Sequence, residues 1–427
     1  MFKITRKSRL VKVAAATAAI GSLAAIGFAG NSPANADPKQ YTDPIFGFGS
    51  DTTQDVINAF AGVQVGANYI APLQTSATTG AKQIVSWDAF QAGTDPTQIT
   101  CITTKVGSPQ ITRPNGSGNG VFALTAGFNA GAKWPVAANA CGPTRSLGGI
   151  IDFARSSSGP DSAKNPVNAT GPLVYVPFGR DALAFAYIRP SGSPVTSITA
   201  AQLSSIHVTG PQLVGGVPVI ACGIQTASGT YSSWRRALTG STSGTFDPGT
   251  DVCNNVGVAG STLGRIQENN GPELLAKSTL LSSMSADACD GVIDTIAAPC
   301  TNAQLVVGFS ASQWIARSNG VGTPNPGLGA NGGLGAINGV SAVAGTAPNL
   351  TPVAAAYSNT TFGRDVYNVL AAEAILGVDA IPHLVDMFVG DTSKVCSATA
   401  TLQQFGFLSL GTSCASVTLR SNYRSAP

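Results

Sequence analysis

Apolar runs of strand length alternate along this chain with stretches that read as helices. Leu173-Val174-Tyr175-Val176-Pro177 and Ala182-Leu183-Ala184-Phe185-Ala186-Tyr187 read as strands, as do Val217 to Ala221 and Leu305 to Phe309. Helical stretches fall at Asp51 to Phe60, Ala200 to Ile206, Ser232 to Leu238, Glu273 to Met284 and Ala311 to Ser318. Strands alternating with helices predict an α/β protein with doubly wound sheets. Pro324 to Pro348 is rich in Gly, Pro and Asn and carries no charge, so it reads as a long surface loop or an excursion at a sheet edge.

The N-terminus changes the picture first. Lys3, Arg6, Lys7, Arg9 and Lys12 precede an apolar stretch from Val13 to Gly30, and Ala34-Asn35-Ala36 is a small-x-small cleavage signal before Asp37. Residues 1–36 therefore read as a signal peptide, with a secreted, periplasmic or envelope location. A retained membrane anchor is the alternative, but the Gly and Ala content of the run and the placed Ala-x-Ala favour cleavage. No Cys lies in or just after the run, so no lipoprotein attachment is expected, and no later segment is apolar enough to span a membrane. The whole chain has a net charge of +3 from 24 Lys and Arg against 21 Asp and Glu. Five of those basic residues lie in the leader, which leaves 19 against 21, or −2, for the mature part. That balance argues against a nucleic-acid or membrane-surface partner.

Eight cysteines, all after the leader, fit export. The sequential pairing, Cys101 with Cys141, Cys222 with Cys253, Cys289 with Cys300 and Cys396 with Cys414, closes the shortest loops, although eight thiols allow about 105 arrangements. A metal centre is not expected: there is no Cys-x-x-Cys, and His207 and His383 are far apart and read as surface or packing residues.

Candidate chemistry lies in three Gly/Ser/Thr loops, each ahead of a helical stretch: Gly49-Ser50-Asp51-Thr52-Thr53, Asn115-Gly116-Ser117-Gly118-Asn119-Gly120 and Ala227-Ser228-Gly229-Thr230. Free N–H groups and the dipole at a helix start, glycines that admit close approach and small hydroxyl donors together suit a phosphate-like anion. Any one loop taken alone is better explained as an N-cap; three in a fixed order carry the anion reading.

Taken in order, these loops resemble phosphate-type solute-binding proteins of the type 2 periplasmic binding fold. Gly47-Phe48-Gly49-Ser50-Asp51-Thr52, Gly116-Ser117-Gly118, Ile151-Asp152-Phe153-Ala154-Arg155-Ser156-Ser157, the strand Val174 to Tyr187, Ile198 to Leu203 and Ser228-Gly229-Thr230 carry the likeness. Phe309 to Ile315 and Arg364 to Val369 resemble late segments of actinobacterial relatives. The resemblance implies two lobes, each a mixed sheet flanked by helices: residues 40–177 plus 367–427, and residues 178–366. It implies a monomer that closes on phosphate or a related oxyanion, held by Ser50, Asp51, Thr52, Ser117, Gly118, Arg155, Ser157, Ser228, Gly229 and Thr230, with an ABC permease as partner. No cofactor is implied, and binding rather than catalysis.

Two positions depart from that pattern. Ser157 stands where an Asp is expected to accept the proton of hydrogenphosphate, and Ile224, followed by Gln225, stands where an Arg is expected. Asp51 could replace the first, or simply cap its helix. Arg155 could replace the second, or pair with Asp152 or Asp161. Arg180 and Arg364 lie near the expected crossing segments, and Gln267-Glu268-Asn269-Asn270 reads as a polar turn that touches the cleft or merely precedes Pro272. A secreted surface or matrix protein that keeps the fold without transport is the alternative reading. A hydrolase is disfavoured, since Gly308-Phe309-Ser310-Ala311-Ser312 ends in Ser where a nucleophile elbow needs Gly and no acidic cluster stands out.

Overall fold

In a computed structural model, the structure describes residues 37–38, 43–63, 70–91, 98–241, 246, 248–255, 264–283, 300–322 and 327–427. The expected leader, Cys289, Met284 and part of the Pro324–Pro348 stretch lie outside them.

Eight strands carry the architecture: β1 (Ile45–Gly49), β2 (Ile84–Ser86), β3 (Phe153–Ser156), β4 (Leu173–Ile188), β5 (Gln212–Val214), β6 (Val217–Ala221), β7 (Gln304–Ser310) and β8 (Gly363–Ala371). They form one mixed path in the order β2-β1-β3-β8-β4-β7-β6-β5. β1 is parallel to β2 and β3, and β7 is parallel to β6, whereas β4 runs antiparallel to both β8 and β7. The strand Gly332–Ile337 also pairs with β4, so the loop expected there contains a strand of its own.

β4 joins the two halves of the sheet. Its residues up to Ala182 pair with β8, and from Leu183 onward they pair with β7. The apolar runs read as two strands broken around Pro177 whereas the resemblance implies one strand from Val174 to Tyr187, and the structure has one strand of 16 residues. Pro177 is tolerated because the β8 register shifts there, between Val366 and Tyr367, so its missing N–H breaks no regular ladder bond. Nearly every residue of β4 is buried, which accounts for its unbroken apolar run on both sides of that point. β8 carries Arg364, Asp365 and Asn368 and its apolar run is confined to Val369–Ala371, so its strand character is set by pairing on both sides.

Among the helices of the described residues that flank the sheet are α1 (Gln54–Phe60), α2 (Ser117–Phe128), α3 (Ala200–Val208), α4 (Gly229–Thr239), α5 (Gly271–Ser278) and α6 (Ala311–Ser318). α3 begins with a full capping box between Thr199 and Gln202. α4 is longer than expected because Ser228 caps its start and Gly240, at φ 74°, ends it in the left-handed region. α5 stops short of the expected end near Met284. Ser278 and Thr279 hydroxyls bond back to the carbonyls of Leu275 and Ala276, competing with continued helix.

One core packs the β4–β7–β6 half against α3 and α4 around Trp234, Phe185 and Phe309. Two more cover the faces of the β1–β3–β8 half, one around Phe60, Phe153 and Phe388 and the other around Phe48, Phe122 and Trp134. Disulfides join Cys101 to Cys141, Cys222 to Cys253 and Cys396 to Cys414, with Cα atoms 5.4, 5.1 and 6.0 Å apart. Cys300 is also disulfide-bonded.

Candidate functional site

The three loops, remote in sequence, meet in one buried cluster where the carboxyl ends of β1 and β3 face the start of α4. Thr52 follows β1, Ser157 follows β3, Ser117 opens α2 and Thr230 lies in the first turn of α4. Gly116 supplies the turn ahead of α2: its φ is 88°, and a Cβ there would stand 2.6 Å from the Ala227 carbonyl. Gly118 N–H donates to that same carbonyl at 2.9 Å. Gly229 lets α4 approach so closely that a Cβ would overlap the hydroxyls of both Ser117 and Ser157.

At the centre lies an oxygen that belongs to the chain itself. Glu268 Oε1 accepts from Thr52 Oγ1 at 2.8 Å, from Ser157 Oγ at 3.1 Å and from the Thr230 backbone N–H at 2.9 Å. Thr52 has one hydroxyl proton, spent on Glu268, so its lone pairs receive Asn269 Nδ2 at 3.0 Å and Thr230 Oγ1 at 3.1 Å. Thr230 Oγ1 in turn accepts from Arg364 Nη2 at 2.9 Å. Ser117 Oγ accepts the Ser157 N–H at 3.1 Å and lies 3.4 Å from Ser157 Oγ. Donors from Thr52, Ser157 and the start of α4 thus converge on a carboxylate, with the Arg364 guanidinium one hydrogen bond further out on Thr230 Oγ1.

Residues 49–299 match the PBP superfamily domain. The chain belongs to the PBP superfamily. Its mixed sheet with flanking helices is the type 2 periplasmic binding fold class. No curated protein matches the chain. Among solved structures, an ABC-type phosphate transport receptor from Vibrio cholerae is 12% identical, covering 86% of this chain and 100% of its own, with a TM-score of 0.42. A phosphate binding protein from Stenotrophomonas maltophilia is 12% identical, covering 87% of this chain and 92% of its own, with a TM-score of 0.40. A human phosphate binding apolipoprotein is 12% identical with the same coverage, 87% and 92%, and a TM-score of 0.38.

In this PBP-superfamily chain the two departures noted above have structural counterparts. Arg155 is fully buried, but it holds backbone: Nε donates to Ser50 O at 3.0 Å, and Nη1 donates to Trp87 O at 2.8 Å and to Ser86 Oγ. Its bonds go neither to the Glu268 cluster nor to Asp152 or Asp161; it fixes the first loop from behind. The guanidinium that touches the cluster is Arg364, on β8, whose Nη2 also lies 2.8 Å from Asp181 Oδ2. Arg364 was visible in the sequence as a residue near a crossing, with nothing to mark which way it points.

Asp51 is buried beside the cluster. Burial pushes its carboxyl up to about 8; Arg317, 3.8 Å away, opposes this, while Glu268 and Asp55 reinforce it. In the structure its Oδ2 accepts from Asn269 Nδ2 at 3.4 Å. Asn269, in the left-handed region at φ 56°, ties Asp51 and Thr52 to the start of α6 by accepting the Ser310 N–H at 2.9 Å. Gln313 on α6 donates to Thr52 O at 2.7 Å. Of the remaining expected residues, Ser228 Oγ caps α4 through the Tyr231 N–H, and Ser50 Oγ is buried with no hydrogen-bond partner among the described residues. The same holds for Glu268 Oε2, Asp51 Oδ1 and Arg364 Nη1.

Beside the cluster, a cleft of about 190 Å³ is lined by Arg180, Arg236, Arg364, Ser233 and Tyr367. Among the described residues no group of three or more His, Cys, Asp or Glu could hold a metal ion, and no helix is long and apolar enough to cross a membrane.

Proposed function

We propose that this chain is an exported solute-binding protein whose two lobes, residues 40–177 plus 367–427 and residues 178–366, close on phosphate or a related oxyanion as a monomer. The observation that carries the reading is the ligation of Glu268 Oε1 by two hydroxyls and a helix N-terminal N–H, the donor set that suits an oxyanion oxygen. Thr52, Ser117 and Ser157 come from the first lobe; Thr230 and Arg364 come from the second. Gly118 and Gly229 admit the close approach, and Ser50, Asp51 and Ser228 complete the three loops.

The handover on β4 at Ala182 and Leu183, and the register shift on β8 at Val366 and Tyr367, support hinge motion at the two crossings. Arg180, on β4 beside that handover, pairs with Asp365 of β8 at 2.8 Å and braces the crossing. Capture of this kind, behind a leader over residues 1–36, serves delivery to an ABC-type permease, a binding role rather than catalysis.

A second reading, a surface or matrix protein that keeps the fold without transport, is favoured by one observation: the halves are bonded directly to each other through Glu268, Asn269 and Gln267, whose amide pairs with Asn115 at 3.0 and 3.1 Å. Calorimetric titration of the secreted protein with phosphate and with sulfate separates the two. Saturable one-to-one binding of either anion supports capture; no binding of either supports the surface role.

A further inference from the structure

Glu268 is held as a ligand is held. It is 1% exposed, yet no ion pair among the described residues includes it. A buried carboxylate is usually matched by a cation, because removing a charge from water is costly unless it is paired. Here the compensation comes from Thr52, Ser157 and the Thr230 N–H at the start of α4. Only Oε1 is used; Oε2 has no partner among the described residues.

We infer that Glu268 is a tethered carboxylate ligand that occupies the oxyanion cradle, so that an incoming anion binds only by displacing it. This deepens the proposed binding function and rests on it. The tether is short and fixed at both ends. Ile266 bridges to Ile224, and Asn270 caps α5 by accepting the Glu273 N–H at 3.2 Å. A group held this close competes at a high effective concentration, and the apparent affinity for a free anion is reduced by the fraction of time the cradle is filled.

It follows that the cradle selects anions by charge and donor demand. A divalent oxyanion that accepts from all three donors and reaches Arg364 can displace Glu268; a small monovalent carboxylate offers nothing that Glu268 lacks. The same occupant also explains why the lobes meet directly. Glu268 belongs to the second lobe and two of its donors to the first, so it acts as a latch across the cleft.

The test uses three proteins, the wild-type chain, Glu268→Ala and the isosteric Glu268→Gln, each titrated calorimetrically with phosphate and melted with and without formate. The expected result is phosphate affinity at least about tenfold higher in Glu268→Ala than in wild type, with Glu268→Gln between them. Formate should raise the melting temperature of Glu268→Ala and leave wild type unmoved. Should Glu268→Ala fold poorly, Glu268→Gln alone decides, since it keeps the shape and loses the charge. Equal phosphate affinity in all three would overturn the latch while leaving the cradle as an anion site. Weaker binding in both variants would overturn it too, making Glu268 a partner of the ligand. If no protein binds phosphate and formate rescues nothing, both the latch and the proposed function fall.

Discussion

Asp181 on β4 and Arg364 on β8 face each other across the crossing strands as a buried ion pair, Nη2 lying 2.8 Å from Oδ2. The carboxylate is fully saturated: Oδ1 also accepts the Ser312 N–H at 3.0 Å and its hydroxyl at 2.7 Å, and Oδ2 accepts Ser310 Oγ at 2.9 Å. One residue thus fixes the start of α6 and aims the guanidinium at Thr230. Asp181→Ala should strand a buried cation and lower stability by about 3–5 kcal/mol, read by denaturant unfolding. The double variant Asp181→Ala with Arg364→Met should recover part of that loss. No recovery would mean that the pair does not act as a unit.

Stability should fall as pH rises. In the folded state Asp51 is raised to about 8, Asp88 to about 7 and Asp152 to about 6, each chiefly by burial. Below the unfolded value of 3.8 these groups are protonated in both states and exert no pull. Above it the unfolded chain releases protons that the folded state keeps, so each group lowers stability by about 1.4 kcal/mol per pH unit until its folded value is passed. Unfolding at pH 5 should therefore need more denaturant than at pH 8, and Asp51→Asn should narrow the difference. A flat or opposite profile would show Asp51 to be ionised in the fold.

The fold was largely legible because its signals are local. Apolar runs located β4, β6 and β7, and Gly/Ser/Thr loops located the starts of α1, α2 and α4. What stayed hidden is set by tertiary contact. β8 carries too many polar residues to read as a strand, and the apolar pattern of β4 alone reads as broken at Pro177 because a register shift cannot be seen in one strand alone. Glu268 and Arg364 lie in a polar turn and a polar strand; only closure of the chain brings them to Thr52 and Thr230. Arg155 illustrates the converse, a well-placed charge whose geometry turns it toward Ser50 and Trp87 backbone.

Gly229→Ala should act on the site more than on the fold. Its methyl would meet the hydroxyls of Ser117 and Ser157, while Ala itself is a good residue inside a helix. The expected outcome is a modest change in melting temperature with anion affinity lowered at least about tenfold. Unchanged affinity would place the ligand away from the start of α4.

The disulfide between Cys396 and Cys414 spans 18 residues, a closed loop worth about 3 kcal/mol in the chain-entropy account. Cys396→Ser with Cys414→Ser should lower stability by about that amount. Both side chains pack in the core around Phe388 and Phe407, away from the cradle, so anion affinity should be unchanged. A loss of binding in that variant would tie the C-terminal segment to the site.

The most direct measurement is phosphate titration of wild type against Thr52→Val with Thr230→Val, which removes two central hydroxyls and keeps the side-chain shape. The account predicts saturable one-to-one binding by wild type and its loss, or weakening by at least about a hundredfold, in the double variant. Equal binding by both proteins would contradict the claim that these loops form the oxyanion cradle.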